Sequence, residues 1–177
     1  MGLLPSNYEV PESGGSGLYI KLQPGENRFR ILAQPTTGYV VWEDRQPTRY
    51  KDRSDVPTGA EDVKHFWVVP VWWYDKDKNG SVKFLEMSQK TVIQDLAALD
   101  AEEDWGNLNT YDVKVKREGE KMDTKYTTQP VPHKPTPKEA LEEWDKMKDG
   151  YKPENLFVEN GVTYIPAESS DKEELPF

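Results

Sequence analysis

Residues 64–74 of the chain read KHFWVVPVWWY, a run in which aromatic and β-branched side chains occupy most positions. These residue types are typical of strands. Four charged residues separate this run from the pair Asn79-Gly80, and residues 81–87 then offer a second strand. An Asn-Gly pair between two such runs is a strong hairpin signal. The sequence therefore predicts a β-hairpin in the middle of the chain.

Shorter segments on both sides of the hairpin alternate apolar with polar residues, which is the period of a strand with one buried face. Pro24-Gly25 predicts a turn that breaks the first long strand. Residues 44–60 are predicted to form a polar loop. The predicted strands outside the hairpin are residues 18–22, 28–31, 38–43, 111–116 and 124–131.

Two helices are predicted. The first begins after Ser88, a candidate N-cap, and ends near Asp100, because apolar residues recur there at helical spacing. Its apolar positions are Val92, Ile93, Leu96 and Leu99. The second covers residues 137–148, because Thr136 is a candidate N-cap followed by Pro at the first helical position and Glu at the third.

The composition is that of one compact domain with polar ends. The 177 residues are 35% hydrophobic and 31% charged, contain no cysteine and have a formal net charge of −9. Residues 1–134 carry 18 basic against 21 acidic side chains, whereas residues 135–177 carry 5 against 11. A nearly neutral domain with local basic clusters can bind phosphate, and an acidic C-terminal part can compete with nucleic acid for the same surface.

Five segments resemble those of phage-encoded single-stranded DNA-binding proteins. They are PGENRFRIL (24–32), FWVVPV (66–71), LEMSQK (85–90), DWG (104–106) and YDVK (111–114). The acidic end that closes on Pro176-Phe177 is similar to the tip of bacterial single-stranded DNA-binding proteins. Together these segments make the resemblance specific, and it covers most of the chain.

The resemblance implies a mainly β fold, an OB-fold built as a five-stranded Greek-key barrel with one inserted helix and a C-terminal helical extension. Five or so strands with one helix before the last hairpin also fit this fold. The implied function is to coat and protect single-stranded DNA, without strong sequence preference, during replication, recombination or repair. Composition and the helix signals predict a flexible arm at residues 1–17, the OB-fold at 18–132, a Pro-rich linker and helix at 133–157, and an acidic tail at 158–177.

Binding of single strands needs aromatic platforms beside cations, since every base has a π-face and every nucleotide a phosphate. The chain supplies both, although about half of its candidate aromatics should be core residues, and Trp105 and Trp144 are predicted to be packing residues. The predicted DNA-binding residues are Arg30, Tyr39, Trp42, Arg45, Arg49, Tyr50, Lys51, Lys64, Trp67, Trp72, Tyr74, Lys83, Lys114, Lys116 and Lys125.

Strand alternation decides which of these aromatics share a surface. It places Trp67 and Trp73 on one face of the strand and Trp72 and Tyr74 on the other. A bulge at Pro70 would change this phase.

The last nine residues, SSDKEELPF, are acidic but end on an apolar tip. A partner can take Phe177 into an apolar pocket and hold a terminal carboxylate with Arg or Lys, while the acids steer the segment to basic surfaces. A solvated end without a partner is the alternative. We expect contact with replication or repair proteins through Asp171, Glu173, Glu174, Leu175, Pro176 and Phe177.

Catalytic and metal motifs are weak. Residues 75–86 match the calcium-loop pattern D-x-[DN]-x-[DN]-G-x5-E, but an EF-hand needs a helix before the loop, where residues 64–74 favour a strand. His65 and His133 are the only histidines of the sequence, so nucleophilic catalysis has little to build on. We expect no enzymatic activity, no metal and no cofactor.

The sequence has no apolar run of transmembrane length, and we expect no signal peptide. We expect a cytoplasmic protein, in the host bacterial cytoplasm if it is phage-encoded, with no membrane partner, and a homo-oligomer is compatible with the sequence. An alternative from another class is an interaction adaptor whose barrel binds protein. The basic side chains of residues 45–53 and those of Lys114 and Lys116 favour DNA.

Overall fold

The computed structural model describes residues 18–158 and 163–164, and within these ranges the protein is mainly β, with eight strands and two α-helices. The strands are β1 (Tyr19–Lys21), β2 (Gly25–Ile31), β3 (Thr36–Glu43), β4 (Gln46–Tyr50), β5 (Lys64–Tyr74), β6 (Gly80–Met87), β7 (Val113–Glu118) and β8 (Lys125–Pro130). The helices are α1 (Lys90–Ala101), between β6 and β7, and α2 (Lys138–Met147), after β8.

β5 is the central strand of one mixed sheet. It forms the predicted hairpin with β6 from Trp67 to Tyr74. On its other edge, β2 pairs with the C-terminal half of β5 and β3 with the N-terminal half. β7 and β8 continue the sheet beyond β2, β4 pairs with β3, and β1 pairs in parallel with β6. Within the described ranges β1 and β8 do not pair with each other, so the sheet is open.

Pro70 occupies the middle of β5 without a bulge, because the pairing of β5 with β6 runs in unbroken register from Trp67 to Tyr74. The Pro70 carbonyl accepts a hydrogen bond from the Leu32 amide, which lies between β2 and β3. In an antiparallel strand the N–H and C=O of one residue point to the same side. The N–H that proline lacks would therefore also point to the junction of β2 and β3, away from β6, so the pairing of β5 with β6 is not interrupted.

The prediction of a loop over residues 44–60 is wrong for its first part, because residues 46–50 form β4. Asp44 and Arg45 connect β3 to β4, and both have positive φ, 49° and 67°. Two such residues in a row are typical of the type I′ hairpin turn, which usually has Asn-Gly or Asp-Gly. Asp-Arg gives no comparable signal. β4 adds an eighth strand to the seven predicted segments, so the sheet has more strands than the five-stranded barrel that the resemblance implies.

Both faces of β5 are buried, and the predicted alternation of its aromatics is confirmed. Trp67 and Trp73 belong to the first core, between the sheet and α1, together with Val92, Ile93 and Leu96 of the helix. Trp72 belongs to the second core, on the opposite face, where α2 contributes Ala140 and Met147, and Tyr74 packs against this core. Trp105 packs against the first core and Trp144 against the second, as predicted.

Both helices form where the sequence predicts them, but their N-termini differ. α1 has Gln89 rather than Ser88 at the N-cap, and α2 has Pro137 there instead of Thr136. The Thr136 hydroxyl is not a cap, because it accepts a hydrogen bond of 3.0 Å from Nη1 of Arg30. The predicted capping residue therefore holds a buried side chain of the sheet.

The hairpin loop is closed by Asp75, and two carboxylates of the calcium pattern have protein partners. The Asp75 carboxylate accepts hydrogen bonds from the amides of Asp77 and Asn79 at 2.8 and 2.9 Å. Glu86, the last residue of the calcium pattern, pairs instead with Arg49 at 2.9 Å. No group of three or more potential metal-binding side chains occurs in residues 18–158 or 163–164.

Gly80 begins β6 beneath the Trp72 indole. A Cβ at this position would overlap the indole ring, so only glycine fits. The Asn-Gly signal for the hairpin thus coincides with a packing requirement of the second core.

Of the helices in the described residues, none is both long and apolar enough to span a bilayer.

Candidate functional site

A cleft of about 640 Å³ opens where the C-terminal end of β5 meets β2 and β7. The hairpin loop after β5 forms one wall, and the segment after β8 contributes Lys134. Five of its lining residues are cationic and two are acidic. These charged residues are Arg28, Lys76, Lys78, Lys114, Lys134, Glu26 and Asp75. A concave surface with such an excess of cations attracts anions.

Asp112, just before β7, is buried next to the cleft and pairs with two of its cations and with Arg30. Its Oδ2 accepts hydrogen bonds from Nε and Nη2 of Arg28 at 3.0 and 2.8 Å, and its Oδ1 accepts one from Nε of Arg30 at 2.8 Å. Lys134 Nζ lies 3.7 Å from the same Oδ2. Asp112 and Arg30 are fully buried, whereas the side chains of Arg28 and Lys134 are 30% and 48% exposed. Two of the three cations can therefore also face a ligand.

Burial alone would raise the pKa of Asp112, but hydrogen bonds from Arg28 and Arg30 and the charges of both guanidinium groups outweigh it. The pKa of Asp112 therefore lies below its ordinary value, and the carboxylate is ionised at neutral pH.

Tyr74 supplies an aromatic ring to this cleft. The Cζ of Arg28 lies 5.3 Å from the ring centroid, a cation–π distance. Burial raises the pKa of Tyr74, and the charge of Asp112 and a hydrogen bond to it raise it further. The phenol is therefore neutral at pH 7 and keeps its proton for Asp112. The cleft thus combines a half-buried ring with cations, as single-strand binding requires.

The alternation of β2 explains this placement. Phe29 and Ile31 point into the first core, so Arg28 and Arg30 lie on the opposite face, where Asp112 meets them. The buried Asn27 fixes the rim of the cleft, because its side chain accepts a hydrogen bond from the Gln23 amide and donates one to the Gln23 carbonyl, both 2.8 Å long. The turn before β2 is thereby held in place.

The hairpin of β3 and β4 carries the most exposed aromatic of the described residues, Trp42, which is 49% exposed. Lys21 Nζ lies 5.9 Å from its ring. Arg45 is exposed in the turn. Arg49 is less available, because it is paired with Glu86 and lies 5.4 Å from the Phe66 ring.

A third set of aromatics lies at the N-terminal end of β5. Tyr39 faces Tyr50 on one side and His65 on the other in the strand register, and the rings of Tyr39 and His65 are 5.1 Å apart. Lys51 and Lys64 are exposed next to them in the chain. Four predicted DNA-binding residues, Tyr39, Tyr50, Lys51 and Lys64, thus lie near one another beside His65. They lie at the end of β5 opposite the cleft.

The remaining predicted DNA-binding residues are divided between surface and interior. Arg30, Trp67 and Trp72 are buried, because both faces of β5 are covered and Arg30 pairs with Asp112, so their side chains do not form an open surface. Lys83 is half-buried on β6. Lys116 and Lys125 are exposed on β7 and β8, and Lys116 Nζ lies 3.8 Å from Oε1 of Glu118.

The predicted partner-binding residues of the acidic tail lie outside the described residues.

Sequence reasoning missed four cations of the cleft, Arg28, Lys76, Lys78 and Lys134. Arg28 was visible in the alternation of β2, and Lys76 and Lys78 in the turn that follows the aromatic strand. Lys134 gave no signal, because it lies among prolines and reaches the cleft only through the path of the chain after β8.

A scan against protein-family models, a search of curated proteins and a search of solved structures each found no match to this chain.

Proposed function

We propose that this protein binds single-stranded DNA with little sequence preference, as the resemblance of its sequence segments implies. The observation that carries the proposal is the cleft, in which Tyr74 lies among Arg28, Lys114 and Lys134. The ring offers a stacking surface, and the cations offer partners for backbone phosphates. The exposed Trp42 beside Lys21 supplies a second platform of the same kind.

We propose further that the sheet is a variant of the OB-fold. The end-to-end pairing of β2 and β3 along β5, the β5–β6 hairpin, the position of α1 between β6 and β7, and the final β7–β8 pair support this assignment. The OB-fold is a five-stranded, partly open Greek-key barrel that binds oligonucleotides on one face and through its loops.

The experiment that tests the proposal is fluorescence anisotropy with a labelled mixed-sequence single strand of about 16 nucleotides, titrated over a range of salt concentrations. We expect affinity to fall steeply with salt, because phosphate neutralisation releases counterions. The double variant Lys114→Gln and Lys134→Gln should bind more weakly at every salt concentration. Its log–log salt slope should be shallower by about 0.7 for each phosphate that the protein no longer neutralises.

The double variant Lys138→Gln and Lys146→Gln is the matched control, because both side chains are exposed on α2 and neither lines the cleft. It removes the same number of positive charges away from the cleft and should leave affinity and slope nearly unchanged. Equal or tighter binding to blunt duplex DNA would contradict the proposal. An unchanged slope in the double variant of Lys114 and Lys134 would show that the cleft is not the binding site.

We also propose that the acidic C-terminal segment recruits replication or repair proteins, with Phe177 as the anchor. Deletion of Phe177 should abolish capture of such partners in a pull-down and leave DNA affinity nearly unchanged, because no side-chain charge is removed. The control is deletion of residues 168–177, which removes the acids as well and should raise DNA affinity at low salt. Capture that is indifferent to Phe177 would reject the segment as an anchor.

A further inference from the structure

A second hollow, of about 470 Å³, lies beside the cleft. Its walls are the turn at Asn109 and Thr110, before β7, and the segment His133–Thr136 between β8 and α2, with Arg30 also lining it. Lys134 lines both the hollow and the cleft. The two concavities are therefore neighbours that share one cation.

The charges at this junction do not balance. Arg28, Arg30 and Lys134 all pair with the single carboxylate of Asp112. Arg30 is fully buried, its Nη1 donates to Thr136 in the wall of the hollow, and its Nη2 is buried with no hydrogen-bond partner among the described residues. A buried charged donor without an acceptor is costly. The junction therefore favours the arrival of an anionic oxygen.

The hollow also has an aromatic platform. His133 is exposed, and its ring stacks on Trp105 with centroids 5.3 Å apart and an interplanar angle of 18°. Its Nε2 lies 2.6 Å from the Trp105 carbonyl oxygen, and Tyr111 meets the ring edge-on at 5.1 Å. Three contacts thus hold the imidazole in one orientation. An imidazole held in this way is a ring on which an unpaired base can stack.

We propose that this hollow is a second nucleotide subsite, continuous with the cleft through Lys134, in which a base stacks on His133 and its phosphate binds the exposed Lys134, with the buried charge of Arg30 behind it adding to the attraction. The inference rests on the proposed function and specifies the route that the bound strand takes over the surface. The strand passes from Tyr74 and Arg28 in the cleft, over Lys134, to His133. A strand long enough to leave the cleft reaches the hollow, whereas a very short one does not.

The test compares two single strands, of about four and about ten nucleotides, on the full-length protein and two variants. His133→Ala removes the platform and His133→Phe keeps a ring. We expect His133→Ala to bind the longer strand about 5- to 150-fold more weakly, the loss for one stacked base, and to bind the short strand as the unaltered protein does. His133→Phe should restore most of the affinity for the longer strand.

NMR chemical shifts provide a readout that does not depend on any variant. The His133 ring protons and the Trp105 indole proton should shift with the longer strand and not with the short one. Equal affinities of His133→Ala and the unaltered protein for both strands would overturn the inference, and so would an equal loss for both. Shifts produced by inorganic phosphate but not by the longer strand would identify an anion site that takes no nucleotide. If the unaltered protein binds neither strand, both the proposed function and the subsite are wrong. If it binds both strands and His133→Ala has no effect, only the subsite is wrong.

Discussion

Asp112→Asn should destabilise the protein by about 3–5 kcal/mol, the usual cost of breaking a buried ion pair by removing one partner. The variant keeps the shape of the side chain but leaves the buried Arg30 without its counter-charge. Arg28 loses the acceptor that holds it over the Tyr74 ring, so single-strand binding should weaken as well. Urea unfolding followed by tryptophan fluorescence measures the loss of stability.

Asp95→Asn is the matched control, because Asp95 is exposed on α1 and the same substitution there should change stability by less than about 0.5 kcal/mol. A similarly small effect of Asp112→Asn would show that the cluster around Asp112 is not a structural ion pair.

The pH dependence of unfolding supplies a second readout of the same variant. The folded-state pKa of Asp112 is depressed, so its contribution to stability is present above the ordinary carboxyl range and is lost as the pH falls through the lowered pKa. Asp112→Asn has no such group to titrate. The difference in unfolding free energy between the two proteins should therefore narrow below about pH 4. A difference that is constant through this range would contradict the depressed pKa.

Trp72→Ala should cost about 3–5 kcal/mol of stability, as is typical of removing a large aromatic side chain from a core. Trp72 is 6% exposed and lies against Gly80 in the second core, and a glycine has no side chain to fill the space. Its effect on DNA binding should appear only through the loss of folded protein. Thermal unfolding and binding below the transition separate the two effects.

Trp42→Ala is the matched comparison and should behave in the opposite way. Its ring is 49% exposed, so stability should change little, while single-strand affinity should fall by about 1–3 kcal/mol if a base stacks there. Reduced affinity of folded Trp72→Ala with unchanged affinity of Trp42→Ala would reverse the assignment of these two residues to core and surface.

The local elements of this fold could be predicted because their signals are short in sequence. The run at residues 64–74, the Asn79-Gly80 pair and the helical spacing after residue 88 correspond to β5, the hairpin and α1. Sequence reasoning missed β4 because the turn before it has the sequence Asp44-Arg45. This pair adopts the positive φ angles of a hairpin turn without the glycine by which such a turn is usually recognised. Alternation also gave the correct faces of β5, since Pro70 causes no bulge.

The alternation of apolar and polar residues could not predict which aromatic side chains of β5 are exposed to solvent. A period of two assigns Trp67 and Trp72 to opposite faces, and for a sheet with one solvated face that would leave one of them on the surface. Here α1 covers one face and α2 the other, so both are buried. The number of layers on a sheet depends on where distant helices pack, and the local pattern does not contain it.

The sequence by itself determined the aromatic and basic residue types that are available for a surface, the central hairpin, and the periods of the strands and helices. Tertiary structure alone decided which cations meet. Asp112 joins Arg28 across 84 positions of the chain, and Arg30 reaches Thr136 across 106. The reason is physical, because a buried charge must find its partners in space, and the sheet pairing of β2 with β7 brings those partners together.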